Sequence, residues 1–134
     1  AALPVMHELA DRVRQSCNLA VLDGDRVRVV AQVESPADFG YRVRVGALFD
    51  AESTATGEVL RGAAEAVRAD ALQPGITDVV VGVRGADGAT VAALTVPYVS
   101  TSFSTVAHDE VVAQARSAGR AIEQSIGRAA HEPE

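Results

Sequence analysis

The chain has 134 residues, 18 acidic and 12 basic side chains for a net charge of −6, and one cysteine. That suits one domain burying roughly 68–70% of its unfolded surface, with no disulfide staple available. Every base is an arginine and none stands in a run, which excludes a phosphate-loop lysine and Schiff-base chemistry and leaves no electrostatic footprint for nucleic acid. The longest apolar stretch, Val79–Val83, falls far short of the ~20 residues of a membrane helix. Residues 1–10 lack a basic start and carry Glu8, so no signal peptide is expected and the chain reads as soluble and cytoplasmic.

Residues 1–16 read as an amphipathic helix. Pro4 suits a first turn, and Val5, Met6, Leu9, Ala10 and Val13 recur at helical spacing. His7 among them reads as a solvated helix residue, because neither His108 nor His131 stands at a metal-ligand spacing from it. Cys17 reads as a small strand hydrophobe; a nucleophile would need a histidine and an oxyanion donor beside it, and no local motif supplies them. Cys17–Leu22 and Arg26–Val33 form a hairpin turning at Asp23-Gly24. Within it Val27, Val29, Ala31 and Val33 are expected on one face and Arg26, Arg28 and Gln32 on the other, with Val30 as the exception.

After the loop at Ser35–Gly40, the alternation Tyr41-Arg42-Val43-Arg44-Val45 reads as a third strand ending at Gly46. A helix is expected from 53 to 72. Asp50, Glu52, Ser53 and Thr54 supply cap-type oxygens, its interior is rich in alanine, and Pro74-Gly75 follows it. A strand feeding a helix N-terminus presents unpaired backbone N–H groups, so Thr54-Ala55-Thr56-Gly57 is a candidate cradle for a small ligand. Gly57 lets a backbone or ligand come close. The second hairpin pairs about Thr77–Arg84 with Thr90–Pro97 through Gly85–Gly88; within their own strands Val91, Ala93, Thr95 and Pro97 share a face, and so do Ile76, Asp78, Val80 and Gly82. Asp78 is an ionisable residue in an otherwise apolar strand. Two readings stay open for it: a strand-end carboxylate touching water, or a group lining a pocket. The sheet thus spans residues 17–98. A last helix from 105 to 127 carries Val111, Val112, Ala115, Ala118, Ile122 and Ile126 as its apolar stripe, with Gly127 as its stop.

The element order is α-β-β-β-α-β-β-α, a single α+β domain with one antiparallel sheet and flanking helices. No nucleophile elbow, metalloprotease motif, phosphate loop or paired-carboxylate arrangement occurs, so no enzyme, metal or cofactor is expected. Two functions remain: a ligand-sensing regulatory domain, or a ligand-free module for oligomerisation or protein interaction. They part on whether a pocket roofed by Tyr41, Phe49, Thr54–Gly57, Asp78 and Thr95 holds a small molecule.

The stretch Arg44–Leu60 resembles the centre of the effector-binding domain of IclR-type transcriptional regulators, R-x-G-x-x-x-P-x-H-A-T-A-x-G-K-A-L. Arg44, Gly46, Thr54, Ala55, Gly57 and Leu60 match, while Asp50, Glu52 and Glu58 stand where that pattern has proline, histidine and lysine. Asn18–Gly24 with Val33–Pro36, and Gly75–Val83 with Ala86–Gly88 and Ala92–Val96, are similar to the family's two hairpins, in family order. The resemblance implies a layout shared with GAF-like and profilin-like sensors and a small-molecule effector near Asp78 and Thr95, held by N–H groups at Ala55 and Thr56. It also implies assembly into dimers or tetramers, and DNA contact only through a winged-helix domain not in this chain. The family's long helical segment after this helix is missing, which implies a pocket that is open, reduced or lost. Three carboxylates at the cradle, with Asp78 across it, favour a neutral, aromatic or cationic ligand, or none at all, over a carboxylate unless an arginine turns inward. Arg42, Arg44 and Arg84 are the candidates.

Overall fold

The computed structural model describes residues 2–34, 44–69, 76–99 and 107–131. The first helix, α1 (Ala2–Val13), buries Met6, Leu9, Ala10 and Val13 along one stripe and closes on the bond from Arg14 N–H to the Ala10 carbonyl, 2.9 Å. Strands β1 (Cys17–Asp23) and β2 (Arg26–Val33) pair antiparallel around Gly24, whose φ of +64° suits glycine. Their register shifts midway. Leu19 faces Ala31 and Ala20 faces Val29, so Val30 is a bulge residue with no partner of its own on β1.

That bulge corrects the expected alternation. Val27 and Val29 do not share a face with Ala31 and Val33, because the extra residue turns the strand over between them. Gln32 therefore stands on the same side as Val27, opposite Asn18.

Two further expectations change. Residues 41–43 of the expected third strand lie outside the described residues; the remainder, Arg44–Gly46, is not strand but enters a turn with Gly46 at φ +90°. The ladder with β2 is taken instead by β3 (Leu48–Asp50), whose Phe49 faces Val27. The helix expected over 53–72 is α2 (Ala55–Leu60), only six residues. Gly62, at φ +128°, accepts a backbone no other residue adopts cheaply, and its N–H bonds the Val59 carbonyl at 3.0 Å. A strand, β4 (Glu65–Ala69), follows and pairs with β5 (Ile76–Arg84), while β5 pairs with β6 (Thr90–Val99). Alanine-rich helix propensity yields here to sheet pairing, which satisfies the edge of β5 from Thr77 to Val81. The last helix, α3 (His108–His131), runs through Gly127 rather than stopping there.

Among the described residues the sheet has six strands in the order β3-β2-β1-β6-β5-β4, every adjacent pair antiparallel. The class is the expected α+β, with one strand more than the sequence order had. One face carries α1 and α3 over a core that includes Val33, Val79, Val81, Val83, Leu94, Val96, Val111 and Ile122. The other carries α2 over a smaller cluster of Ala20, Val27, Ala51, Ala55, Val59, Leu60, Ala66, Val80 and Ala93. The two faces differ in kind: valine, leucine and isoleucine dominate the first, alanine the second. Small side chains under a short helix leave the second layer thin, and Asn18, Thr56, Asp78 and Thr95 are buried there.

Candidate functional site

Thr54 starts α2. Its hydroxyl accepts from the Gly57 N–H at 3.1 Å and donates to the Asp50 carbonyl at 2.8 Å, so both its functions serve the turn. Gly57 is required by the backbone across from it: a Cβ there would lie 2.0 Å from the Ala51 carbonyl oxygen and 2.4 Å from its Cα. Of the two readings of this glycine, close backbone approach accounts for it. Ala55 is wholly buried in the apolar cluster. Thr56 is different. Its hydroxyl meets that of Thr95 at 2.8 Å, both buried. Two hydroxyls bring two protons and only one lies between them, so one remains to donate to a third group.

From Thr95 a polar row crosses the sheet. Thr95 faces Asn18 on β1, Asn18 faces Gln32 on β2, and the three share the α2 face. One step along, Asp78 faces Pro97 on one side and Arg68 on the other, which makes Asp78 and Thr95 diagonal neighbours on one face, about 7–8 Å apart. Asn18, Asp78 and Thr95 are each 5% exposed or less. Burial pushes the Asp78 carboxyl up to about 6, against the pull of the Arg68 guanidinium, which favours the charged form. Arg68 also reaches Glu58 on α2, 3.7 Å away. Of the two readings of Asp78, the water-touching strand end does not fit a residue 4% exposed.

The sequence-derived candidates thus divide. Thr56, Thr95 and Asp78 come together; Thr54, Ala55 and Gly57 build the helix that carries Thr56; Phe49 is half-buried against the same cluster; Tyr41 lies outside the described residues. Asn18, Gln32 and Arg68 were missed as site residues. Arg68 was hidden by the helix reading of 53–72 and Gln32 by the unrecognised bulge, for which the break in alternation at Val30 was the available signal. Among the described residues Arg68 is the arginine that faces Asp78; Arg42 lies outside them.

Two concavities lie away from this row, both smaller than the ~300 Å³ and upward that small-molecule sites usually occupy. A groove of about 140 Å³ runs between α1 and α3 past Val5, Leu9, Ser117 and Ala121. One of about 230 Å³ lies beside β4, with Arg84, Arg116 and Arg120 at its rim, where Arg116 is already engaged by Glu65. Burial pushes the Cys17 thiol up to about 12, and it donates to the Met6 carbonyl at 3.4 Å, so it carries no thiolate at neutral pH. Among the described residues no cluster of His, Cys, Asp and Glu could hold a metal ion, and no helix is long and apolar enough to cross a membrane.

A sequence model of the family described as bacterial transcriptional regulator IclR C-terminal matches residues 1–72. No curated protein matches the chain. Among solved structures, a transcriptional regulator from Rhodococcus sp. RHA1 superposes with a TM-score of 0.81 at 22% identity, over 93% of this chain and 66% of that one. An IclR homologue from Microbacterium hydrocarbonoxydans, complexed with 4-hydroxybenzoate, gives 0.77 at 20% identity, over 95% of this chain and 67% of that one. The C-terminal domain of the E. coli transcriptional regulator KdgR gives 0.75 at 19% identity, over 94% of this chain and 96% of that one. The chain therefore spans about two thirds of the first two proteins and nearly all of the third, and the likeness is one of fold.

Proposed function

The chain belongs to the IclR C-terminal family of bacterial transcriptional regulators, and on that premise we propose that it is a small-molecule-sensing domain, with no catalytic role. The observation that carries this reading is the group of buried polar side chains Asn18, Thr56, Asp78 and Thr95 under α2. Burying such groups in an apolar layer costs stability, and a ligand that completes their hydrogen bonds returns it. DNA contact belongs to a winged-helix domain outside these residues; the chain itself, at net charge −6, has no basic stripe to offer. Self-association to a dimer or tetramer is part of the proposal. Among the described residues β4 is an edge strand, and its Val67 is 46% exposed. That edge also favours the alternative, an oligomerisation module that senses nothing.

The ligand's charge follows from the groups that face it. Asp78 and Glu58 are acidic and Arg68 is the one described cation between them, so a bound carboxylate meets no surplus positive charge. A helix of six residues adds little dipole to offset that. A neutral aromatic ligand with hydrogen-bonding groups is therefore expected. Thermal denaturation with a panel of phenols, aromatic amides, and mono- and dicarboxylates tests this. Neutral members should raise the transition, by about 2.7 kcal/mol at 100 times Kd, and carboxylates should not. Stabilisation by a simple carboxylate with Kd below about 100 μM would contradict the charge argument. No stabilisation by any member, together with a concentration-dependent dimer, would favour the alternative.

A further inference from the structure

The Gln32 side-chain nitrogen Nε2 is buried and, among the described residues, has no hydrogen-bond partner. A buried amide donor of this kind is rare and carries its desolvation cost unrelieved. It is not a random surface residue turned in: the bulge at Val30 reverses β2 and sets Gln32 opposite Asn18, at the end of the row Gln32, Asn18, Thr95. Asp78, one strand further and one step along, forms the other end.

We infer that Gln32 is a specificity-determining residue of this site, donating from Nε2 to an acceptor on the ligand while Asp78 takes a donor at the ligand's opposite end. The inference rests on the sensing role proposed above and adds the ligand's polarity pattern to it. Three inter-strand steps and a two-residue offset along the strand separate Gln32 from Asp78, about 16 Å between their backbones. With both side chains reaching over the same face, one aromatic ring bearing a polar group at each end bridges them. A donor already desolvated by folding gives up no water when the acceptor arrives, so the bond it forms is worth more than an exchange with solvent. The ligand class is a small neutral ring with a hydroxyl at one end and a carbonyl-type acceptor at the other.

The test compares 4-hydroxybenzamide, which has both ends, with phenol, which lacks the acceptor, by calorimetric titration of the wild-type chain and of Gln32→Met, whose side chain has similar length and no donor. Wild type should bind 4-hydroxybenzamide at least about tenfold more tightly than phenol, and Gln32→Met should bind the two within about twofold. The unliganded Gln32→Met chain should melt about 3 °C higher, because the unrelieved donor is gone. Should that variant fail to fold, Gln32→Leu serves, and the wild-type preference stands as an independent reading. Equal discrimination in wild type and variant, or no wild-type preference, would overturn the role of Gln32 and leave the sensing domain intact. Absence of binding by either probe to wild type would overturn both.

Discussion

Replacing Gly57 by alanine should destabilise the chain by about 3 kcal/mol or more. The added Cβ falls 2.0 Å from the Ala51 carbonyl oxygen and 2.5 Å from its carbonyl carbon. These are backbone atoms, which cannot swing aside as a flexible side chain can, so α2 must shift or the turn before it must open. Overpacking costs typically 1–3 kcal/mol and more where nothing yields. Urea denaturation measures it, with Gly46→Ala as the control: Gly46 has open space around it and only its φ of +90° to lose, so its cost should be near 1 kcal/mol. Because α2 presents Thr56 to Thr95, the Gly57→Ala chain should also lose ligand-induced stabilisation. A cost below about 1 kcal/mol would mean that the contact between the Ala51 turn and α2 is soft and that the site is not held by it.

Asp78 should make the chain less stable as pH rises from about 4 to about 6. Its carboxyl, with an ordinary value of 3.8, is pushed up to about 6 by burial. The folded state therefore binds a proton in that window that the unfolded state has released, and stability falls as the proton leaves. The full effect is about 3 kcal/mol, two units at 1.36 kcal/mol each. Glu65 runs the other way, its carboxyl held low by the bond from Arg116, but that pair is half exposed and contributes little. Chemical denaturation from pH 4 to pH 8 on wild type and Asp78→Asn isolates the term. The variant should lose the downward slope and be the more stable chain above pH 7, by up to about 3 kcal/mol, while binding 4-hydroxybenzamide more weakly. A wild-type slope unchanged by the substitution would show that Asp78 does not titrate in this window.

The parts of the fold legible in the sequence were those whose pattern and pairing agree. The hairpin of β5 and β6 reads directly because two valine- and threonine-rich runs of nine and ten residues flank a Gly85–Gly88 turn; that Asp78 and Thr95 share a face came only with the register between them. Where local pattern and tertiary pairing compete, the pairing prevails. Arg44-Val45-Gly46 alternates like a strand, yet the neighbouring ladder goes to Leu48–Asp50. Glu65–Ala69 is composed like a helix, yet β5 offers an open edge and Gly62 has already ended α2. The site inherits both errors. Arg68 came into view only with β4, and Gln32 only with the bulge, since one inserted residue exchanges the faces of everything beyond it. Thr56 and Thr95, 39 positions apart, form a contact that no local spacing announces.

The polar row under α2 is the proposed binding site for a small molecule. Titration of the 15N-labelled chain with 4-hydroxybenzamide, followed by amide chemical shifts, tests it most directly. Saturable shifts should centre on Asn18, Gln32, Thr56, Asp78 and Thr95 and leave the α1–α3 groove at Val5, Leu9, Ser117 and Ala121 unmoved. Saturable shifts confined to that groove, with the row under α2 silent, would contradict the account.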